Sequence, residues 1–148
     1  MLFRSELASN ESVRVSTAGG LLKVDAAVGN GPYLPATSIG TVAAADVTAI
    51  IIWGGDDANT VDLSGVLAAD FSSLELVSVN GGNGHDLLIG SPDVANDLSG
   101  SDGNDTIQGG IGEDTLNGGN GDDLITANRG DDSVEAGDGN DTDRKSVV

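Results

Sequence analysis

Six aspartates recur through the second half of the chain at nearly regular intervals. From Asp105 onward they are nine residues apart, and each follows glycines in a near-copy of one nonapeptide. The clearest copy spans 109–117, and the next copy, 118–126, follows it without a linker. Carboxylates repeated at fixed spacing are suited to binding hard cations, because a ladder of like charges needs counter-ions. The six are Asp86, Asp105, Asp114, Asp123, Asp132 and Asp141.

The net charge of the chain also favours cations and argues against nucleic acid as a partner. The 148 residues include 24 acidic and 6 basic ones, which gives a net charge of −18. Residues 1–80 contribute −6 and residues 81–148 contribute −12, so the charge is concentrated in the repeats. Such a chain repels a polyanion, and its own compact state is destabilised unless counter-ions bind. We therefore expect no nucleic-acid partner.

Composition limits both the fold and its chemistry. The chain has no cysteine, which excludes disulfides and thiolate metal sites. Only 38% of its residues are hydrophobic and 3% are aromatic, so we expect a thin aliphatic core. No apolar run approaches the roughly 18 residues that a membrane span needs. Residues 1–11 lack the apolar segment of a cleaved secretory signal. We therefore expect neither a membrane span nor a cleaved signal.

The nonapeptide period predicts a solenoid. In the pattern GGxGxDxUx, where U is a large aliphatic residue, glycines allow a sharp turn and U points inward from a short strand. Two nonapeptides then close one coil of eighteen residues, and turns eighteen residues apart stack on the same edge. The U residues are Leu88, Leu98, Ile107, Leu116, Ile125 and Val134.

Stacked turns would create oxygen-rich sites between neighbouring coils. Flexible clusters of about six to eight hard oxygens suit Ca²⁺ better than Mg²⁺, and zinc is disfavoured because His85 is the only soft ligand. A pair of Asn96 with Asp114 would bind more weakly, since it lacks one carboxylate. Counting that pair, we expect about four to five Ca²⁺ sites. The other predicted pairs are Asp86 with Asp105, Asp105 with Asp123, Asp123 with Asp141, and Asp114 with Asp132.

We call each copy of the nonapeptide a row. The rows between 81 and 142 resemble the RTX, or haemolysin-type calcium-binding, repeats of bacterial secreted toxins, proteases and lipases. The resemblance is weak over 47–80 and does not extend to 1–46. It implies an all-β, right-handed parallel β-roll or β-solenoid, with calcium held between turns by aspartates and turn carbonyls. It also implies an extracellular or cell-surface location in bacteria. By position, the carbonyl ligands are those of Gly103, Gly110, Gly112, Gly119 and Gly121.

Some rows depart from the family pattern. Ala127 and Ala136 replace the first glycine, and Ser101 and Asn128 replace the second. Asparagine tolerates a positive φ better than most residues, so we expect Asn128 still to form the turn. In the last row Asp143 takes the aliphatic place, which we interpret as the end of the stack.

The pattern divides the chain into four parts. Residues 1–46 form an irregular β or cap region with a less regular β pattern, in which alternating valines around 19–20 predict a hairpin. Residues 47–80 are degenerate solenoid coils, because 54–62 is a decayed nonapeptide in phase with the others. We expect the solenoid to begin near residue 47, with 63–80 as one coil of looser sequence. Residues 81–144 are the calcium-binding β-roll, and 145–148 are a C-terminal tail.

Three classes of function are open at this point. One is a calcium-binding structural module, another is a polysaccharide-active enzyme with convergent carboxylates near 47–80, such as those at 56–62, and the third is an adhesion or ice-binding face. An ice-binding face needs a regular outward column, which Leu124 and Ser133 break. We favour a non-enzymatic module that folds on binding calcium, because stacked carboxylates repel each other without it. Besides calcium, its expected partners are other domains of a larger secreted protein or cell-surface glycans.

Overall fold

A computed structural model describes residues 2–6, 11–28, 34–35 and 42–145. These residues form an all-β solenoid, with one short 3-10 helix at Ala44–Asp46. The strands are β1 (Leu2–Glu6), β2 (Glu11–Ala18), β3 (Leu21–Val28), β4 (Leu34–Pro35), β5 (Ala49–Trp53), β6 (Thr60–Asp62), β7 (Leu76–Asn83), β8 (Leu87–Ile89), β9 (Asn96–Asp102), β10 (Thr106–Gln108), β11 (Thr115–Asn120), β12 (Leu124–Asn128), β13 (Ser133–Asp138) and β14 (Thr142–Lys145).

The strands alternate between two sheets as the chain winds. The first sheet has the order β1-β5-β7-β9-β11-β13, and the second has the order β14-β12-β10-β8-β6-β2-β3-β4. Every pairing between successive coils is parallel, as expected for a solenoid. We call the turns that lead from the first sheet to the second the first edge, and the turns that lead back the second edge. The first edge contains 54–59, 81–86, 100–105, 118–123 and 136–141; the second contains 63–75, 90–96, 109–114 and 127–132.

The strand register confirms the predicted coil length. Leu98 pairs with Leu116 and Ile107 with Ile125, in both cases eighteen residues apart. Ile107 also pairs with Leu88, nineteen residues away, because row 90–99 contains one extra residue. These aliphatic side chains are at most 1% exposed. Each buried side chain contributes about 1.5–3 kcal/mol, so one such residue per row stabilises the stack.

The solenoid begins earlier than the sequence predicts. Strand β1 pairs in parallel with β5, and β2 pairs in parallel with β6, so a coil precedes residue 47. Val13 lies opposite Val61 in that register and is 1% exposed, as a U residue would be. This coil lacks the glycine–aspartate turns of the later rows, which is why the nonapeptide pattern did not reveal it.

The predicted N-terminal hairpin is confirmed. Strands β2 and β3 are antiparallel, with Ala18 opposite Leu21 and a two-residue turn between them. Gly19 and Gly20 have φ of 61° and 75°, the positive pair that a type I′ turn requires. Strand β3 therefore covers the N-terminal edge that β2 would otherwise leave unpaired in the second sheet.

The interpretation of 63–80 as a separate coil is wrong. Val61 pairs with Leu88 and Ile52 with Val79, both twenty-seven residues apart, so these strands belong to neighbouring coils. Residues 63–75 are a long connection on the second edge, and β7 begins after it. The connection turns inward, because Phe71 is 1% exposed and packs in the core. Within the described ranges, no helix is long and apolar enough to cross a membrane.

Candidate metal centre

The aspartates of the first edge form a continuous ladder. The Oδ1 atom of Asp105 accepts the backbone N–H of Asp86 at 2.7 Å, and Asp123 accepts that of Asp105 at 2.7 Å. Asp141 accepts the N–H of Asp123 at 2.9 Å, and Asp86 accepts that of Asn59 at 2.7 Å. One oxygen of each carboxylate is thus used to link two coils. The structure brings together the three aspartate pairs that the sequence placed on this edge.

The second oxygen of three of these carboxylates has no partner. The Oδ2 atoms of Asp86, Asp105 and Asp123 are buried and accept no hydrogen bond. Burial, reinforced by the charges of Asp86 and Asp123 and partly offset by the Asp86 N–H, raises the pKa of Asp105 to about 6. Burial likewise raises the pKa of Asp86 and of Asp123. A buried, unpaired carboxylate oxygen is costly unless a cation compensates it.

A backbone carbonyl from the next coil faces the same space as each of these oxygens. A methyl group placed on Gly100 would lie 2.1 Å from Asp105 Oδ2 and 2.6 Å from the carbonyl oxygen of Gly118. At Gly118, the corresponding distances are 2.4 Å to Asp123 Oδ2 and 2.2 Å to the carbonyl oxygen of Ala136. Only glycine leaves this space open. Carboxylate and carbonyl oxygens converging in this way are the ligands that Ca²⁺ prefers.

The fourth residue of each first-edge turn directs a further carbonyl along the stack. Gly103 and Gly121 both have a φ of 131°, a conformation that side chains disfavour. A methyl group on Gly121 would lie 2.0 Å from the carbonyl oxygen of Gly103. Gly119 is the third residue on this edge whose carbonyl is a predicted calcium ligand, and it has a φ of 108°. Across the described residues, no three acidic or histidine side chains converge, so a bound cation would need these carbonyls.

The second edge is built differently. Asp114 Oδ1 accepts the N–H of Asn96 at 2.8 Å, and Asp132 Oδ1 accepts that of Asp114 at 3.1 Å, as the predicted pairing requires. However, Asp114 Oδ2 accepts the N–H of Gly110 at 2.6 Å and so has a partner. Gly110 and Gly112 lack the positive φ of the first-edge glycines. The Gly110 carbonyl also accepts the N–H of Arg129 at 3.2 Å.

The rows that depart from the family pattern retain the turn. Asn128 has a φ of 69°, which confirms the prediction for it, and Ser101 adopts a φ of 84° in the same place. Asp132 and Asp141 follow Ala127 and Ala136, and both aspartates are only half-buried. These two carboxylates are less enclosed than those of the glycine-led rows.

The position-one carbonyls were missed in the sequence. The predicted carbonyl ligands occupy the second and fourth places. The carbonyl oxygens that border the same spaces as the aspartate Oδ2 atoms belong to the first places, at Gly100, Gly118, Ala127 and Ala136. The signal in the sequence is the first glycine, which recurs in most rows, more often than a turn alone requires. Its role is to leave room beside the carboxylate.

The other chemically suggestive side chains lie in ordinary structural contacts. His85 is exposed, and its Nδ1 atom accepts the N–H of Asn104 at 2.7 Å. Asp62 is bound by Arg14 Nε at 2.7 Å and by the N–H and hydroxyl of Ser64. Burial acts to raise the pKa of Asp62, but these hydrogen bonds outweigh it and hold the pKa below its usual value.

Comparison with known proteins identifies the repeats. A protein-family model for the RTX calcium-binding nonapeptide repeat (four copies) matches residues 93–125 and 109–143. No curated protein and no solved structure matches the chain. The matched region contains five of the six aspartates, and its rows are the coils of the parallel β-solenoid described above. Residues 93–143 are therefore RTX calcium-binding nonapeptide repeats, and they fold as a β-roll.

Proposed function

We propose that Ca²⁺ binds between the coils and that its binding drives the folding of the C-terminal coils. The observation that carries this proposal is the set of buried, unpartnered Oδ2 atoms at Asp86, Asp105 and Asp123. Each faces a carbonyl of the next coil in a space that only glycine leaves open. A divalent cation there would satisfy both oxygens and neutralise the repulsion along the ladder.

The proposed ligands follow from this arrangement. On the first edge they are the aspartate carboxylates with the carbonyls of the first, second and fourth turn residues. The four Asp–Asp pairs would hold about four ions. We expect the Asp114–Asp132 pair to bind most weakly, because the turn's own N–H already occupies one oxygen of Asp114. The proposed carboxylates are Asp86, Asp105, Asp114, Asp123, Asp132 and Asp141, and the carbonyl candidates from the sequence remain Gly103, Gly110, Gly112, Gly119 and Gly121.

Calcium would also determine where the module folds. Extracellular calcium modules bind with dissociation constants of about 10⁻⁴–10⁻³ M, far above cytosolic calcium levels. Repeats of this type are typical of secreted bacterial proteins. We therefore propose a module that is unfolded in its C-terminal coils inside the cell and folds outside it.

We further propose that the module is structural and not catalytic. The carboxylates near 56–62 do not form a shared site, because Asp62 is bound to Arg14 and Asp57 is exposed in a turn with a φ of 65°. Phe71 is 1% exposed and therefore unsuited to stacking on a sugar ring. The proposed partners besides calcium are other domains of a secreted protein or cell-surface glycans.

The proposal is tested by circular dichroism during a calcium titration, from excess chelator to about 10 mM, with magnesium as the control. Bound calcium is counted in parallel by isothermal titration calorimetry. We expect a cooperative gain of β-structure with calcium alone. Full β-structure in chelator, with no bound calcium, would refute the proposal.

A further inference from the structure

Both stacks of aspartates begin with an asparagine. Asn59 takes the aspartate place in the first row of the first edge, and Asn96 takes it on the second edge. Both are buried, at 2% and 3% exposure. Each donates its backbone N–H to the first aspartate above it, Asn59 to Asp86 at 2.7 Å and Asn96 to Asp114 at 2.8 Å. The two asparagines thus continue the ladders at the end where the carboxylates stop.

The side-chain amide of Asn96 is surrounded by oxygens. Its Nδ2 atom lies 2.8 Å from Asp114 Oδ1, 3.0 Å from the Val94 carbonyl and 3.1 Å from the Ser91 carbonyl. Its Oδ1 atom accepts the N–H of Ser91 at 2.8 Å, which fixes the orientation of the amide. The positive end of the amide therefore faces three oxygen atoms, one of them from a carboxylate.

This amide occupies the place that a carboxylate occupies in other rows. A methyl group on Gly90 would lie 2.7–2.9 Å from the three atoms of the Asn96 carboxamide, just as one on Gly100 would meet Asp105. The difference is that Asp105 leaves one oxygen unpartnered, whereas Asn96 has donors and acceptors all satisfied. Asn59 makes a matching bond, from its Nδ2 atom to the Asp57 carbonyl at 2.9 Å. In both cases the acceptor lies two residues before the asparagine.

Below Asn96, two side chains of row 90–96 link it to the 63–75 connection. The hydroxyl of Ser91 donates to the Val66 carbonyl at 2.7 Å and accepts the N–H of Val94 at 3.2 Å. Ser91 is fully buried, at 0% exposure. Asp93 Oδ1 also accepts the N–H of Ala68 at 2.9 Å, so row 90–96 is tied to the 63–75 connection by one buried neutral side chain and one exposed carboxylate.

We propose that the side-chain amides of Asn59 and Asn96 take the place of a cation at the base of each stack. This inference rests on the calcium binding proposed above. An amide N–H₂ is a permanent donor that satisfies the facing oxygens without a metal, which a carboxylate cannot do. The contacts between each asparagine row and the next row on the same edge therefore form without calcium. The coils up to Asn96 form a base that is ordered without calcium. Only the rows beyond Asn96 need calcium in order to fold.

The variant Asn96→Asp tests this inference, because it keeps the shape of the side chain and turns the donor into an acceptor. We expect it to bind one more Ca²⁺ than the wild-type chain, and to have a lower urea midpoint in chelator. The matched control is Asn117→Asp, which adds the same charge on β11 outside the turns. We expect the control to change neither the ion count nor the chelated stability by a comparable amount.

A second variant, Asn96→Ala, separates loss of the amide from gain of a ligand. We expect it to be destabilised in chelator, with no additional bound calcium. If Asn96→Asp matches Asn117→Asp in both measurements, or stays unfolded in saturating calcium, the inference is wrong. If the wild-type chain itself binds no calcium, the proposed function fails instead.

Discussion

The N-terminal and C-terminal coils share one fold but are held together by different interactions. The N-terminal coils bury Val13, Ile50, Val61 and Phe71, which come from the strands and from the 63–75 connection. The C-terminal coils bury one large aliphatic residue in each row up to Ile125, and β14 at their far end is exposed along its whole length. The buried, unpartnered carboxylate oxygens occur from Asp86 onward. Apolar burial stabilises one end of the solenoid, whereas we propose that the other end also needs its carboxylates neutralised by cations.

The difference also explains where the charge lies. Residues 81–148 carry a net charge of −12, twice that of the N-terminal 80 residues. Without cations, this charge opposes compaction in the region with the smaller apolar core. On the proposed function, bound cations would neutralise these carboxylates, whose Oδ1 atoms already link the coils. The contrast predicts that perturbations of the turns will affect the two ends unequally.

The largest effect is expected from Gly100→Ala. The added methyl group would lie 2.1 Å from Asp105 Oδ2 and 2.6 Å from the Gly118 carbonyl oxygen, in the space proposed for calcium. We expect the C-terminal coils to remain unstructured by circular dichroism at about 10 mM calcium. Ala136→Gly is the matched control at the same place of the last row, and it should leave the calcium response intact. If Gly100→Ala gains β-structure with calcium as the wild-type chain does, calcium does not bind in this space.

The next largest effect is expected from Ile107→Ala. Ile107 is fully buried, so the cavity should cost about 2–5 kcal/mol of unfolding free energy, measured by urea denaturation in calcium. Val134→Ala is the comparison, because Val134 is only partly buried against the core. It should cost clearly less. Equal losses would mean that the end of the stack is packed as tightly as its middle.

Asp105→Asn should convert a calcium-dependent junction toward the type found at Asn96. The amide supplies its own donor, so we expect the variant to be more stable than wild type in chelator. In calcium we expect at least about a tenfold weaker affinity, equivalent to about 1.4 kcal/mol. The control is Asp97→Asn, an exposed residue on β9. An unchanged affinity for Asp105→Asn, measured by calorimetry, would exclude Asp105 as a ligand.

A smaller effect is expected from pH in the metal-free protein. The pKa of Asp105 is raised to about 6 in the folded state from an ordinary value of 3.8, so the folded state binds this proton more tightly. The resulting stability is present below pH 3.8 and is lost as pH rises through about 6. In chelator, the β-structure measured by circular dichroism should therefore increase as the pH is lowered from 7 to 5, because protonation of Asp105 favours the folded coil. A decrease over that range, or the same increase in Asp105→Asn, would contradict this assignment.

The sequence predicted those features that depend on the nonapeptide period. The period places Leu98, Ile107 and Leu116 in the core because each occupies the aliphatic place of its row, and the register of the strands follows from that spacing. The stacking of Asp105 with Asp123 follows from the same period. These features are local and repeat, so a single strand–turn unit determines them.

Features that depend on contacts between unlike segments could not be predicted. The first coil was missed because β1 and β2 contain no glycine–aspartate turn, and their place is determined by pairing with β5 and β6. The amide network of Asn96 depends on the inserted residue in row 90–99 and on Ser91. In the Asp114 turn, the N–H of Gly110 donates to one oxygen of Asp114, although the sequence of this turn matches the repeat pattern best.

Hydrogen exchange of the wild-type chain, compared in excess chelator and in about 10 mM calcium, tests the central claim most directly. Backbone amides of β5, β7 and β8 should be protected in both conditions, because apolar burial and the asparagine amides hold those coils. Amides of β10, β11 and β12 should be protected only in calcium. Equal protection of both groups in chelator, or loss of protection in both, would contradict the division of the solenoid into a calcium-independent base and calcium-dependent coils.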